Sequence, residues 1–489
     1  MSQTDHEGRL FIDGEFREAK SGKRYDVINP ADDSVVASAA DAAPDDVHDA
    51  VTAARRAFDE SSWGTDHKFR RHCLEQLQAA LYEEAPAFRT LLTQEAGVPA
   101  SVWPTHVDYM IDGMDFWNEL TTSFEWERDL GPGEVLGMKS NRRVRYEPYG
   151  VVGAITPWNA PFMTAIWKVT HAMATGNTVV LKSAPDTPLV AAKMAQVAQE
   201  KTDIPRGVFN TISSADKAIA GDALTGDPRV DLFHFTGSPG VGQRIQERAA
   251  NGIRKVVLEL GGKSGNIVLP DANLDLTCML GTMMCMSNSG QGCALATRMV
   301  VHADIYDELV QRLETTLGGL SWGDPMDPAN VIGPIIRREQ VDRMEGLVDR
   351  ARADGARVLV GGKRGDRPKG NWYEPTLVVD VDENAELAQT EVFGPVLAVV
   401  KYDGDDDEAV RVANNTRYGL SAYVQSSDEE RAWRVANRLR AGTVNIGMSF
   451  YLAADAPFGG WGISGVGSEH GIEGFREYLR VKTIASPHV

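Results

Sequence analysis

The sequence predicts an α/β fold: a parallel sheet covered by helices on both faces, followed by a second α/β unit. Two observations carry this. Between residues 149 and 263, short apolar runs of strand length alternate with longer helical patterns, each pair separated by Gly or Pro. The connections are also long enough for the crossovers that parallel strands require. Ligands in such a fold sit beyond the carboxyl ends of the strands.

Taken in chain order, residues 1–125 read as mostly helical after a short β start, "RLFIDGEF", with "DDVHDAVTAARRAF" an amphipathic helix. The stretch 126–147, containing "ERDLGPGEVLGMKSNRRVRY", reads as a two-stranded excursion turning at its Gly-Pro-Gly. A hairpin of that kind is marginally stable alone, so it is expected to pack on another subunit. The buried strands then follow as "GVVGAITP", "NTVVLK", "GVFNTI", "VDLFHFTG" and "RKVVLEL". Helical patterns separate them: "NAPFMTAIWKVTHAMAT", "PLVAAKMAQVAQEK", "DKAIAGDAL" and "GVGQRIQERAANG". The second α/β unit spans 261–463, and the short acidic "DGDDDE" inside it reads as a solvated loop.

At 489 residues, 43% hydrophobic and 24% charged, the chain can bury large cores and should divide into two or three domains. No apolar run approaches the roughly 18 residues that span a bilayer, and "MSQTDHEGRL" lacks the charged and apolar blocks of a signal peptide, so a cytoplasmic protein is expected. Cys73, Cys278, Cys285 and Cys293 are too few and too unevenly placed for a disulfide scaffold. A formal charge of −19 disfavours nucleic acid and anionic lipid as partners. No H-x-x-x-H pair points to a catalytic metal.

Two phosphate-loop look-alikes fail on context. "GGKS" would need its first glycine at Val257, inside a strand, and "GWGISG" has no buried strand before it. "FHFTGSPGVG" is better placed, because a buried strand runs into Gly237, Ser238, Gly240 and Gly242 where a helix begins. Small residues there let backbone N–H groups and a positive helix end approach a phosphate, though an ordinary glycine-rich turn has the same pattern. Lys182 ends the second strand, where it could hold a ribose or phosphate or simply face solvent.

The cysteine question arises at "SNSGQGCALATRM", where Cys293 follows a polar, glycine-containing loop instead of an apolar shell. A free thiol is only a few per cent thiolate at neutral pH, so a catalytic one needs a base, helix end or cation nearby. Glu259 in "LELGGKSGNIV" ends a buried strand, a setting that raises a carboxyl group toward the range of a general base; pairing with a lysine is the alternative. Asn159 in "ITPWNAPF" could donate to a developing oxyanion or cap a helix.

In this order "ITPWNAPF", "GNTVVLK", "FTGSPGVG", "LELGGKS", "GQGC", "EVFGPV", "NNTRYGLSAYV", "GTVNIG" and "PFGG" with "ISGVG" resemble the aldehyde dehydrogenase superfamily over essentially the whole chain. The resemblance implies a Rossmann-type cofactor domain (1–125 with 148–260), a catalytic α/β domain (261–463), and an oligomerisation hairpin with C-terminal segment (126–147 with 464–489). It implies Cys293 as nucleophile, Glu259 as general base, and Asn159 with the Cys293 amide as the oxyanion site. Cofactor contacts are implied for Ile155, Thr156, Pro157, Trp158, Lys182, Gly237, Ser238, Val241, Leu260, Gly261, Glu391 and Phe393, with Asn445 and the Gln291 loop supporting the cysteine. The activity implied is hydrolytic oxidation of an aldehyde to its acid with NAD or NADP, in a homodimer or homotetramer, with no metal.

The chain departs from the family at Pro185, where a glutamate commonly binds the adenosine ribose. That loss leaves NADP open, with Asp186 a possible substitute. The positions matching the substrate tunnel are Ala160, Met163, Trp167, Ser287 and Phe450. A small Ala160 suggests room for branched or aromatic aldehydes, and the lack of arginine argues against a distal carboxylate. The rival readings are a CoA-acylating semialdehyde dehydrogenase, which generally lacks the base, and a non-catalytic binding protein on the same fold.

Overall fold

The strands Val151–Ile155, Thr178–Lys182 and Phe209–Ile212 are buried along their whole length, as their uninterrupted apolar sequences require in a sheet covered on both sides. A computed structural model describes residues 8–449 and 452–488. Phe450, one of the expected tunnel residues, lies outside them.

The first sheet has eight strands in the order Gly465–Val466, Lys255–Glu259, Leu232–Thr236, Val151–Ile155, Thr178–Lys182, Phe209–Ile212, Leu10–Ile12 and Glu15–Arg17. Its five central strands are parallel, as expected, whereas the strands at both edges run antiparallel. Side chains alternate between two cores: Val152, Ala154, Val179 and Leu181 on one face, Val151, Ile155, Val180 and Phe233 on the other. Two of the covering helices, Pro161–Ala174 and Pro239–Ala250, open on a proline, whose missing N–H costs nothing in the first turn.

The N-terminal region departs from expectation. Arg24–Ile28 and Val35–Ala40 pair as a separate antiparallel ribbon before the helices Pro44–Glu60 and His67–Ala96 begin. Their mixed burial, one or two covered residues in each, left little apolar periodicity to read.

The second sheet has seven strands in the order Arg357–Val360, Thr376–Val379, Val396–Tyr402, Arg298–His302, Gly265–Val268, Ser421–Gln425 and Thr443–Ile446. All pair in parallel except the Arg357–Val360 edge. Residues 260–264 carry the chain from the end of the Glu259 strand into this sheet, so the carboxyl edge of the first sheet is tied directly to the second.

The hairpin Glu127–Val135 and Met138–Pro148 also differs in detail. Its turn is at Leu136 and Gly137, both at positive φ, while Gly131-Pro132-Gly133 lies inside the first strand beside a bulge. A proline is tolerated there because the strand is at the sheet edge. The hairpin is not two-stranded, because Leu479–Pro487 adds a third strand along Ser140–Pro148. The 464–489 segment therefore divides, with Gly465–Val466 in the first sheet and Leu479–Pro487 in the third. Among the described residues no helix is long and apolar enough to cross a membrane.

Candidate active site

Cys293 is positioned by a loop held in an unfavourable conformation. After the helix Leu274–Met286, residues Asn288, Ser289 and Gly290 take φ of 49°, 58° and 70° in succession. Non-glycine residues there cost about 1–3 kcal/mol each, so the surroundings must hold them. They do so through a set of hydrogen bonds. Ser289 Oγ accepts from the Gly333 N–H at 2.9 Å, and Gln291 Oε1 accepts from the Ile336 N–H at 3.1 Å. Asn288 Nδ2 donates to the Asn159 carbonyl, and Asn159 Nδ2 donates to the Gln291 carbonyl, each at 2.9 Å. Tyr423 OH donates to the Ala294 carbonyl at 2.8 Å.

Two glycines near the cysteine are required by packing. A β-carbon at Gly290 would stand 2.2 Å from the Gly394 backbone, and one at Gly262 would stand 2.3 Å from the Cys293 carbonyl oxygen. At both positions backbone is packed against backbone.

Cys293 is half-buried. Burial pushes its thiol up to about 12, with the Glu391 and Glu259 carboxylates adding to the rise. Glu259 is 2% exposed and neither carboxyl oxygen has a hydrogen-bond partner. Burial, then the charge of Glu469, raises it well above the ordinary carboxylate range, while Lys168 opposes the rise. In its ionised form a carboxylate in such a place takes a proton readily.

Behind Glu259 lies a buried polar cluster that sequence reasoning missed. Lys168 Nζ is 2.6 Å from Glu469 Oε1 and donates to Thr236 Oγ1 at 2.7 Å, and His234 Nε2 lies 2.7 Å from the same Glu469 oxygen. The His234 ring also meets the Tyr478 hydroxyl. Against the pull of burial, Lys168 and His234 hold Glu469 well below the usual carboxylate range. A lysine inside the apolar "FMTAIWKVTHAMA" was the available signal for it.

The expected cofactor residues lie along the carboxyl ends of the first sheet and at the entry to the second. The Gly237 N–H donates to the Glu259 carbonyl at 3.1 Å, linking the glycine turn to the Glu259 strand. Ser238 precedes the twelve-residue helix Pro239–Ala250 without capping it through its side chain, and Val241 in the first turn is exposed. Nothing would meet a β-carbon at Gly240, whereas one at Gly242 would strike Leu260 at 2.6 Å. An uncapped, open helix N-terminus of this kind fits a pyrophosphate. Ile155 ends its strand, and the Thr156 N–H donates to the Lys182 carbonyl at 3.1 Å, so Pro157 and Trp158 leave the sheet beside Lys182. Lys182 is buried and Nζ donates to the Ser183 carbonyl at 3.1 Å; burial brings it down to about 8.

Trp158 and Phe393 meet edge-to-face at 5.2 Å, with Phe393 at φ 60°. Glu391 Oε1 accepts from the Gly262 N–H at 2.9 Å, and burial raises its carboxyl to about 7. A β-carbon at Gly261 would fall 2.3 Å from the other Glu391 oxygen. Gln340 and Arg343, also missed from sequence, donate to the Val392 carbonyl at 2.9 and 2.7 Å and so fix this segment. Asp186 is already engaged: Arg337 Nη1 lies 2.6 Å from its carboxylate, and the guanidinium sits 5.6 Å over Trp158. Asn445 is buried on its strand opposite Tyr423.

A cavity of about 330 Å³ is lined in part by Trp167 of the helix Pro161–Ala174. Ala160 is buried just before that helix, and Met163 and Ser287 are half-buried; these three are not among its lining residues.

The Aldehyde dehydrogenase family model matches residues 16–484. An aldehyde dehydrogenase of Enchytraeus buchholzi is 37% identical over 97% of this chain and 95% of its own length. The solved NAD+ complex of the Bacillus cereus aldehyde dehydrogenase is 33% identical, with a TM-score of 0.94 over 98% of this chain and 96% of that one. A betaine aldehyde dehydrogenase of Staphylococcus aureus, solved with NAD+, is 32% identical, with a TM-score of 0.95 over 99% and 96%. On these matches and this fold, the chain belongs to the aldehyde dehydrogenase family.

Proposed function

We propose that the protein is an NAD-dependent aldehyde dehydrogenase that oxidises an aldehyde to its carboxylic acid through a covalent intermediate on Cys293. The observation that carries the reading is the tie between Asn159 and the Gln291 carbonyl, two residues before Cys293, together with an unpartnered Glu259 carboxyl whose charge acts on the Cys293 thiol.

Cys293 Sγ attacks the aldehyde carbon, and the thiol proton leaves to a base; Glu259 is the candidate. The carbonyl oxygen becomes an oxyanion. Asn159 Nδ2 spends one of its two hydrogens on Gln291, which orients the amide, and the second hydrogen, with the Cys293 N–H, is available to the oxyanion. Lys182, Ser238 and Glu391 would hold NAD+, which when bound would supply the two-electron acceptor for the hydride leaving the substrate carbon. Collapse of the oxyanion leaves a thioester on Cys293. Glu259, having passed the thiol proton to solvent, takes a proton from the water that hydrolyses the thioester and returns it to the departing sulfur, so the acid leaves with the thiol restored.

The retained Glu259 favours hydrolysis over transfer of the acyl group to CoA. An assay with NAD+ and an aldehyde panel, with and without CoA, tests both points: carboxylic acid in every case supports the reading, and acyl-CoA as product contradicts it. NAD+ is the expected cofactor, with Pro185 leaving NADP+ as the comparison arm.

Exposed Leu130, Val135, Leu136, Met138, Val481 and Ile484 lie on the three-stranded sheet, a surface suited to a second copy of the chain. A dimer or tetramer by light scattering supports that role, and a monomer opposes it.

A further inference from the structure

Three parts of the chain that the proposed reaction needs in register are the Trp158–Asn159 turn, the loop before Cys293, and the Glu391–Phe393 segment. One short stretch, residues 333–343, touches all three. Its backbone grips the cysteine loop. The Gly333 N–H donates to Ser289 Oγ at 2.9 Å, the Pro334 carbonyl accepts from Gln291 Nε2 at 3.3 Å, and the Ile336 N–H donates to Gln291 Oε1 at 3.1 Å. The helix that follows, Arg338–Ala353, is seated on the second sheet's core through Val341 and Met344, and it sends Gln340 and Arg343 to the Val392 carbonyl.

Arg337 stands between these two sets of contacts and reaches across to the first sheet. Its Nη1 donates to Asp186 Oδ2 at 2.6 Å, just past the end of the strand Thr178–Lys182. The same guanidinium lies 5.6 Å over the Trp158 ring, within the range of a cation–π contact, and the Phe393 ring meets Trp158 edge-to-face at 5.2 Å. Asn159, the next residue, is tied to the cysteine loop in both directions: its Nδ2 donates to the Gln291 carbonyl and its carbonyl accepts from Asn288 Nδ2, each at 2.9 Å.

Ion pairs at a protein surface generally contribute little. This one differs in burial and in place. The Arg337 and Asp186 side chains are 27% and 22% exposed, and they join an element of the second sheet to one of the first instead of bracing a single helix. Asp186 is also close enough to Lys182 for its charge to oppose the fall that burial imposes on that lysine. A planar guanidinium that pairs with a carboxylate while lying over an aromatic ring fixes the orientation of both, which a flexible ammonium does not.

We infer that Arg337 is a positioning residue for the oxidation. By pairing with Asp186 over the Trp158 ring, it holds the Trp158–Asn159 turn in register with the Gln291 loop and so aims the Asn159 amide at the oxyanion formed on Cys293. Arg337 itself touches no reacting atom in this scheme and acts through Asn159. The inference deepens the proposed function and rests on it.

The test crosses Arg337→Met, which keeps the aliphatic stem and removes the charge, with Asn159→Ala in the full-length enzyme. The single-turnover rate of NADH formation is read by stopped flow at saturating NAD+, KM for NAD+ is measured in the steady state, and hydrogen exchange is followed by mass spectrometry. Arg337→Met should lower the single-turnover rate about tenfold, a smaller loss than the roughly hundredfold of a 1 Å misplacement, and leave KM for NAD+ within about threefold. In the Asn159→Ala background the same substitution should have no further effect, because its route to the chemistry is gone. Arg337→Lys, which keeps the charge without the planar fork, should recover part of the loss. Asp186→Asn should reproduce the loss, and it takes the place of Arg337→Met should that variant fail to fold. An unchanged single-turnover rate in either variant, or an equal loss with and without the Asn159 amide, overturns the inference while leaving aldehyde oxidation intact. If the wild type oxidises no aldehyde, the proposed function fails and hydrogen exchange decides the positioning alone. Faster exchange in Arg337→Met confined to the peptides carrying Trp158–Asn159 and the Gln291 loop supports it; exchange unchanged, or raised throughout the chain, rejects it.

Discussion

The backbone carbonyl oxygen of Cys293 stands 2.3 Å from the point where a β-carbon on Gly262 would lie. The connection that follows the Glu259 strand therefore passes the proposed nucleophile at a distance only glycine allows. Gly262→Ala must displace the Cys293 backbone, and a shift of about 1 Å at a reacting group costs on the order of a hundredfold in rate. The expected result is a loss of that size in kcat/KM with a nearly normal far-ultraviolet circular dichroism spectrum. Wild-type kinetics in this variant would mean that the contact does not set the position of Cys293.

Asn159 does not cap the helix that follows it, whose N-cap is Ala160 with no side-chain cap bond. Its side chain orients the Gln291 carbonyl and offers a second hydrogen to an oxyanion. Asn159→Ala should reduce kcat by about a hundred- to a thousandfold. A purely structural role would lower the melting temperature while leaving kcat near normal.

The Cys293 thiol, pushed up to about 12 by burial and by the Glu391 and Glu259 carboxylates, should react slowly with iodoacetamide in the free enzyme. The rate should keep rising with pH through 9 and beyond, since only the thiolate attacks. At a pH where Glu259 is ionised, Glu259→Gln removes one of the opposing charges and should speed alkylation. A rate already at its plateau at neutral pH would show a thiolate stabilised by something other than these groups.

Because Glu259 is raised above the ordinary carboxylate range, its carboxylate form becomes more abundant as pH rises through that raised value. Thioester hydrolysis should accelerate over the same interval. In Glu259→Gln that rise should vanish and a burst of NADH should precede a slow steady state, read by stopped-flow absorbance. A steady state as fast as wild type would remove Glu259 from the hydrolytic step.

Much of this was legible because parallel strands buried on both faces carry continuous apolar sequences, as in "TVVLK" and "LFHFT". Glu259 stood out for a related reason, as a charge at the end of such a run. What sequence hid depends on distant contacts. The turn at Leu136 and Gly137 lost to the more obvious Gly-Pro-Gly, and Asp186 gave no sign that Arg337, far along the chain, engages it. Lys168 and Glu469 are separated by 301 residues, so their pairing follows from how two elements pack. The purpose of Gly290 and Gly262 was likewise visible only once Gly394 and the Cys293 carbonyl were in place.

The measurement that bears most directly on the central claim is the intact mass of Glu259→Gln, quenched by acid within the burst after mixing with NAD+ and an aldehyde. The expected result is an increment equal to the acyl group, located by peptide mapping to the peptide containing Cys293 and absent when Cys293→Ala is added. NADH formed in the burst with no acyl group on that peptide, or formed at an equal rate in the Cys293→Ala variant, would contradict it.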